Sequence, residues 1–247
     1  MAVTGRDLLT LDLGNTSLKV LLWQEGRVAG RWRCFHGSAD PGQASSESLP
    51  DLNGVETGLG VRVPGPGVPE LPRSWPRILW AGEDFELPGR VSYRNPEEMG
   101  GDRRVAAWGA RSLHGRALVL DCGTAVTLTH VTQEGEVAGM AISSGLGTLR
   151  RGLARAAPAL ADFLAEEKPV PEGLPRGSAE NLSLGVIHGW AGLLRELVTQ
   201  ARRRLNDPGT LVLTGSDAPL AAELLGEGEI QADLLHQGLL ALAKREG

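Results

Sequence analysis

The chain has 247 residues, 25 of them basic and 30 acidic, and a formal net charge of −5. That length allows one large core or two small ones. The mixed charge gives no basic surface for nucleic acid, and two cysteines are too few for a disulfide framework. Because no apolar run reaches membrane-spanning length and no long signal core is present, we expect a cytoplasmic protein with no membrane partner.

The first 81 residues predict a sheet that begins with a three-stranded meander. Alternating apolar residues lead up to Asp12, Gly14 permits a tight turn after it, and Gly26 permits a second turn. Between residues 37 and 75 the chain is rich in Gly, Pro, Ser and Asp, which predicts loops and one weak helix over 44–52. The strands predicted in this part of the chain cover residues 8–13, 19–24, 27–35, 61–64 and 78–81.

A helix is predicted over residues 104–113, directly after Gly100 and Gly101. Asp102 lies where this helix would begin, so its carboxylate could simply cap the helix. With Arg103 beside it, the same carboxylate could instead be a general base next to an anion-binding guanidinium. The position of Asp102 at the predicted start of the helix favours the capping role. The neighbouring Arg103 favours the functional role, because a helix cap does not need an arginine beside it.

The opening pattern occurs a second time, displaced by 109 residues, which is the separation of Asp12 and Asp121. Residues 118–127 align with residues 9–18 without a gap, and the matches continue through residues 133–135 and 137–139. One constant offset indicates a duplicated unit. A single Asp-x-Gly turn could be an ordinary hairpin whose Asp stabilises its own turn. Two such turns favour a clamp for a polyphosphate and its cation, built from backbone amides, hydroxyls and carboxylates.

The second half is predicted to repeat the meander and then to add helices. The predicted strands cover 117–122, 125–131, 136–142 and 210–215, and the predicted helices cover 148–156, 157–166, 179–205, 218–225 and 234–244. In the longest helix, Gly185 and Gly189 each cost up to ~1 kcal/mol relative to alanine, so we expect another backbone to pack closely against them. We place the domain boundary so that the domains are residues 1–114 and 115–247, with the ligand where the halves meet.

Three segments together resemble the signature motifs of the type III pantothenate kinases. They are Asp12-x-Gly-Asn-Thr-x-x-Lys19, Gly100-x-Asp102-Arg103 preceded by Tyr93, and Asp121-x-Gly-Thr-Ala-x-Thr127. The resemblance runs in the family's order from about residue 8 to the C-terminal helix. The family belongs to the acetate and sugar kinase, Hsc70 and actin superfamily. The resemblance therefore implies a duplicated ribonuclease-H-like, actin-like α/β fold, with two mixed-sheet domains flanking a nucleotide cleft.

The resemblance also implies a reaction, namely ATP-dependent phosphorylation of pantothenate to 4′-phosphopantothenate, the first step of coenzyme A biosynthesis. Asp102 would be the general base, Asp121 would hold a monovalent cation, potassium or ammonium, and Asp12 would lie near the magnesium of Mg·ATP. Pantothenate would be bound by Tyr93, Gly100, Gly101, Arg103 and Ser178, and ATP by Asp12, Gly14, Asn15, Thr16, Lys19, Gly123, Thr124, Thr214 and Gly215. The family is typically homodimeric, with a substrate site that includes the partner subunit.

The chain departs from the family pattern mainly on the nucleotide side. Residues 138–145 lack one glycine and a proline, Ser216 stands in for a more usual glycine, and residues 58–64 lack paired serines. Two alternatives therefore stay open beside a pantothenate kinase. One is a kinase of the same superfamily with another small-molecule acceptor, and the other is a non-catalytic regulatory or accessory relative that keeps the fold.

Overall fold

The chain divides into two compact units. The computed structural model describes residues 7–14, 16–35, 52, 55–63, 71, 73–166 and 172–245. The first unit comprises Met1–Arg116, Val131–Ala138 and Asp233–Gly247, and the second comprises Ala117–His130 and Gly139–Ala232. The division differs from the boundary expected between residues 114 and 115, because two later segments group with the first unit.

The sheet of the first unit has five strands. These are β1 (Asp7–Leu13), β2 (Ser17–Gln24), β3 (Arg27–Phe35), β4 (Thr57–Arg62) and β5 (Arg77–Trp80), in the order β3-β2-β1-β4-β5. The meander β1-β2-β3 is antiparallel, as predicted, whereas β4 and β5 run parallel to β1. Strand β4 begins four residues before the predicted start at residue 61. The helix expected over residues 44–52 lies outside the described residues apart from Leu52.

Four of the seven residues of strand β1 are leucines, because both of its faces are buried. Leu9, Leu11 and Leu13 pack on one face of the sheet, in a cluster with Val20 and Val55. The other face is covered by the helices α1 (Gly101–His114) and α6 (Leu234–Arg245). The core on that side consists of Leu8, Leu21, Trp23, Leu59, Val61, Leu79, Ala81, Leu87, Val105, Leu239 and Leu242. The C-terminal helix belongs to the first unit because its leucines complete this core.

The backbones of α1 and α6 approach each other closely at Gly109 and Gly238. A methyl group added at Gly238 would overlap the carbonyl oxygen of Val105 and lie 3.0 Å from its carbonyl carbon. A methyl group added at Gly109 would lie 3.0 Å from the backbone nitrogen of Gly238. Around Gly185 and Gly189, by contrast, no atom of the described residues lies within 4 Å of where such a group would be. The predicted close packing at those two glycines was therefore wrong.

The second sheet repeats the strand order of the first. Its strands are β6 (Ala117–Cys122), β7 (Ala125–Val131), β8 (Val137–Ser144), β9 (Thr210–Thr214) and β10 (Glu229–Ile230). They are arranged β8-β7-β6-β9-β10, which corresponds position by position to β3-β2-β1-β4-β5. Strand β9 is parallel to β6, and β10 is parallel to β9, as β4 and β5 are in the first sheet. The duplication predicted from the constant offset is thus confirmed in the topology.

Among the described residues, four α-helices belong to the second unit. They are α2 (Leu146–Ala156), α3 (Ala161–Ala165), α4 (Ser178–Arg204) and α5 (Ala218–Leu225). Trp190 and Leu194 of α4 pack with Leu118 and Leu213 of the sheet. Of the helix predicted over 157–166, only Ala161–Ala165 is α-helical. A 3-10 turn at Pro158–Leu160 precedes it, and Ala157 has a φ of −130° because the residue before a proline avoids helical backbone angles. No helix among the described residues is both long and apolar enough to cross a bilayer.

The turn between β7 and β8 is held by the first unit. The backbone nitrogen of Val137 donates to the carbonyl of Arg90 at 2.7 Å, and the nitrogen of Ser92 donates to the carbonyl of Val137 at 2.9 Å. A methyl group added at Gly135 would lie 3.3 Å from the Trp108 ring of α1. These contacts explain why Val131–Ala138 groups with the first unit although its flanking strands lie in the second sheet.

Candidate active site

The first Asp-x-Gly turn brings a carboxylate and an ammonium group together. Asp12 and Lys19 are cross-strand partners on β1 and β2, and the Lys19 Nζ lies 2.9 Å from the Asp12 Oδ2. The Gly14 nitrogen donates to the Ser17 carbonyl at 3.1 Å, which closes the turn, and Thr16 is exposed within it. Asn15 lies outside the described residues. The turn therefore presents an ammonium group, a hydroxyl and a carboxylate, which suit a phosphate and its cation.

Asp102 is the second residue of α1, after Gly100 at the N-cap position. Burial raises the pKa of Asp102, hydrogen bonds from the backbone amides of Arg103 and of Asp102 itself lower it, and the charge of Asp12 adds to the rise. The net shift is upward, so this carboxylate is a stronger base than an ordinary aspartate. It also accepts helix N-terminal amides, so capping and base chemistry are compatible at this position.

The two glycines before Asp102 each leave room for a different neighbouring group. A methyl group added at Gly100 would overlap the Asp102 Oδ1, so the carboxylate can fold back only over a glycine. A methyl group added at Gly101 would lie 3.2 Å from a methyl carbon of Val61 on β4. The start of α1 therefore rests on the end of β4, which fixes where Asp102 lies relative to the first sheet.

Arg103 and Tyr93, both predicted to bind the substrate, contact each other. The Arg103 Nη1 donates to the Tyr93 hydroxyl at 3.1 Å, and Arg103 is only 8% exposed. A 3-10 turn at Pro96–Glu98 separates the two residues along the chain. The tyrosine thus holds a buried guanidinium in place directly beside Asp102.

The second Asp-x-Gly turn is built at the end of β6. Asp121 pairs with Thr214 across the parallel strands β6 and β9. Gly215 follows with φ of +92°, and a methyl group added there would lie 2.5 Å from the Asp121 Oδ1. The Gly123 nitrogen donates to the Ala125 carbonyl at 3.0 Å and closes the turn. Four predicted residues, Asp121, Gly123, Thr214 and Gly215, are therefore brought together in the second unit.

The segment that departs from the family pattern still contacts this turn. The Gly145 nitrogen donates to the Thr124 carbonyl at 3.1 Å, and the Thr148 hydroxyl donates to the same carbonyl at 2.7 Å. A methyl group added at Gly145 would overlap the Gly123 carbonyl oxygen, so the retained glycine is required. The missing proline and glycine have therefore not removed the packing of α2 against the second turn.

Asp217 is a residue of this region that the sequence interpretation missed. Its backbone nitrogen donates to the Cys122 carbonyl at 2.9 Å, and it occupies the N-cap position of α5. Burial raises the pKa of Asp217, while the charge of Arg150 opposes the shift. A carboxylate two residues after Gly215 was the available signal. Burial, reinforced by the charges of Asp121 and Asp217, raises the pKa of Cys122 to about 12, so its thiol stays protonated.

Ser178 is the first residue of α4 and is exposed. Its predicted contact with the substrate stays a prediction. Within the described part of the chain, no group of three or more His, Cys, Asp or Glu residues could hold a metal ion by itself.

The sequence comparison identifies the family. The family model for type III pantothenate kinase matches residues 8–200. The chain belongs to the type III pantothenate kinase family. A curated type III pantothenate kinase from Roseiflexus sp. (strain RS-1) is 30% identical over 247 residues, covering 94% of this chain and 96% of that protein.

Solved structures with low sequence identity share the fold of this type III pantothenate kinase family member. A Baf family protein from Campylobacter jejuni superposes with a TM-score of 0.61 at 16% identity, covering 96% of this chain and 98% of that chain. A ROK family glucokinase from Streptomyces griseus gives a TM-score of 0.51 at 12% identity, covering 98% of this chain and 100% of that chain. Together with the two matching sheets, these similarities confirm the duplicated ribonuclease-H-like fold.

Proposed function

We propose that this protein transfers the γ-phosphoryl group of ATP to pantothenate, giving 4′-phosphopantothenate in the first step of coenzyme A biosynthesis. The observation that carries the proposal is Asp102, a carboxylate whose pKa is raised by burial at the start of α1. It lies beside the Arg103–Tyr93 pair in a chain that belongs to the type III pantothenate kinase family.

In the proposed mechanism the protein contributes positioning and charge rather than covalent chemistry, as is general for phosphoryl transfer. Asp102 accepts the proton of the primary hydroxyl of pantothenate while that oxygen attacks the γ-phosphorus. The raised pKa favours this proton transfer. Arg103, held by Tyr93, binds the carboxylate or neighbouring polar groups of pantothenate.

Cations are part of the proposal, and the donor chemistry at the two turns fits them. Asp12 would hold magnesium together with ATP phosphates, since magnesium is often bound through one or two carboxylates plus substrate phosphates. When bound, magnesium neutralises charge on the phosphates. Asp121 would hold potassium or ammonium. We also place Ser178 in the pantothenate site and the enzyme in the cytoplasm as a homodimer. The family resemblance supports the homodimer, and the low cysteine content suits a reducing compartment.

The first test is ADP release by the purified protein with Mg·ATP, with and without pantothenate, in potassium and in sodium buffer. We expect turnover that requires pantothenate and is faster in potassium. Magnesium-dependent turnover with a different acceptor only would favour another small-molecule kinase. No turnover with any acceptor, in folded protein, would favour the non-catalytic relative.

The role of Asp102 is tested separately with Asp102→Asn. Loss of a general base typically lowers the rate about 10²–10⁴-fold, while folding and pantothenate binding should persist. Isothermal titration with pantothenate checks binding, and circular dichroism checks folding. A variant that retains a near-normal rate would exclude Asp102 as the base.

A further inference from the structure

Three buried side chains form a hydrogen-bonded chain that connects the C-terminal helix to the strand carrying Asp12. The indole nitrogen of Trp23 donates to the Thr10 Oγ1 at 2.8 Å, and that oxygen lies 2.9 Å from the Nδ1 of His236 on α6. Thr10 is 0% exposed and His236 is 4% exposed. Because buried polar groups that lose a partner are costly, this chain constrains the position of each member.

The donors and acceptors in this chain can be assigned. An indole nitrogen can only donate, so the Thr10 oxygen accepts from Trp23 and has one proton of its own to give. The Leu21 carbonyl lies 3.5 Å from the Thr10 Oγ1 and the Nδ1 of His236 lies 2.9 Å from it, so we assign the Thr10 proton to the shorter contact and the ring proton of His236 to Nε2. Burial lowers the pKa of His236 to about 4, against a rise from the charge of Asp12, so the ring is neutral near pH 7.

The same turn of α6 also contacts the helix that carries Asp102. Gly238 lies two residues after His236 and packs directly on the backbone carbonyl of Val105, three residues after Asp102 on α1. Thr10 lies two residues before Asp12 on β1. One turn of α6 therefore contacts the Thr10 side chain, two residues from Asp12, and the Val105 backbone, three residues from Asp102. All of these residues belong to the first unit.

We propose that His236 is a positioning residue for phosphoryl transfer, and that α6 fixes the distance between Asp12 and Asp102 through Thr10 on one side and Val105 on the other. The inference rests on the proposed function, which assigns Asp12 to Mg·ATP and Asp102 to the proton. His236 does not touch the substrates, so its effect is exerted through the strand and the helix. A displacement of about 1 Å at a reacting group can cost on the order of 10²-fold in rate.

The test uses two substitutions at His236 and a matched control on the same helix. His236→Leu removes the acceptor for Thr10, whereas His236→Asn keeps an acceptor oxygen near the position of Nδ1. Leu242→Ala removes another buried α6 side chain that takes no part in the hydrogen-bonded chain. For each variant, the measurements are the urea midpoint, the affinity for Mg·ADP by calorimetry, and kcat and KM for both substrates.

We expect His236→Leu and Leu242→Ala both to lower the urea midpoint. Only His236→Leu should weaken Mg·ADP binding and lower kcat, each by about tenfold or more, with KM for pantothenate nearly unchanged. His236→Asn should recover most of both losses. Equal losses of kcat and Mg·ADP affinity in His236→Leu and Leu242→Ala would overturn the proposal, as would wild-type behaviour of His236→Leu.

If His236→Leu does not fold, Thr10→Val interrupts the same chain from the strand side with little change in side-chain shape. The Mg·ADP measurement also separates this proposal from the proposed function. A wild-type protein that binds Mg·ADP without turning over pantothenate refutes the function. In that case, a selective loss of Mg·ADP affinity in His236→Leu still supports the positioning of Asp12, and unchanged affinity refutes it.

Discussion

Replacing Gly238 by alanine should destabilise the protein, although alanine is the better helix former. The added methyl group overlaps the Val105 carbonyl oxygen and lies 3.0 Å from its carbon. Relief of this overlap requires α1 and α6 to separate by roughly 1 Å, because carbon contacts are optimal at about 3.5–4.0 Å. Overpacking of this kind costs about 1–3 kcal/mol, and the gain in helix propensity returns up to ~1 kcal/mol.

The matched control is the same substitution at Gly185 or Gly189 of α4, where the described structure has no atom within 4 Å of the new methyl group. Each control should stabilise the protein by up to ~1 kcal/mol, so the sign of the effect is opposite to that at Gly238. Urea unfolding measured in parallel gives the differences in free energy. A Gly238→Ala variant as stable as the controls would refute the close helix crossing.

Three further predictions concern ionisable groups and the second turn. Burial raises the pKa of Asp102, so this group favours folding only at low pH, and that contribution is lost as pH rises through the raised pKa. Asp102→Asn should therefore increase the thermal midpoint near pH 7 while abolishing turnover; a lower midpoint there would contradict the upward shift. Burial lowers the pKa of His236 from 6.5 to about 4, so folding holds this ring neutral. The free energy of unfolding is therefore unaffected by this group above pH 6.5 and decreases as pH falls towards 4, by roughly 3 kcal/mol in total. Urea midpoints measured from pH 7 to pH 4 should fall less steeply in His236→Leu than in the wild type, and parallel curves would count against burial as the cause. Gly215→Ala places a methyl group 2.5 Å from the Asp121 Oδ1 and 2.5 Å from the carbonyl carbon and oxygen of Cys122, at a φ of +92°. The strained backbone and the overlap together cost about 2–4 kcal/mol, and displacement of Asp121 should raise the potassium concentration needed for half-maximal rate. Potassium titrations in which this variant and the wild type coincide would argue against Asp121 as the cation ligand.

The features that sequence predicted well are those determined by neighbouring residues. The strands of both meanders follow from alternation. The turns after Asp12 and Asp121 lie where they were predicted, but glycine is not required in them: neither Gly14 nor Gly123 has a positive φ, and a methyl group added at either would make only ordinary contacts. The candidate site residues come from spaced motifs and stay a prediction; two of them, Arg103 and Tyr93, contact each other in the structure.

The features that sequence did not predict depend on contacts between distant segments. A glycine in a helix indicates close packing only where another helix packs against it, and this occurs at Gly238 rather than at Gly185. A single histidine on an amphipathic helix has no spacing signal, so His236 could be found only once α6 was placed against Thr10. Asp217 was missed because its backbone is held by a hydrogen bond to the Cys122 carbonyl, about 95 residues earlier in the chain.

The placement of α6 in the first unit has a consequence for synthesis on the ribosome. Nearly the whole second unit, ending at Ala232, is translated before the helix that completes the first core. Domains generally fold during synthesis as soon as their residues are available. The second unit can therefore fold first. Until α6 is synthesised, Leu8, Leu21 and Val105 lack the contact with Leu239 that completes their core. A chain that terminates before α6 would leave that apolar surface exposed to solvent, where chaperones and proteases can recognise it.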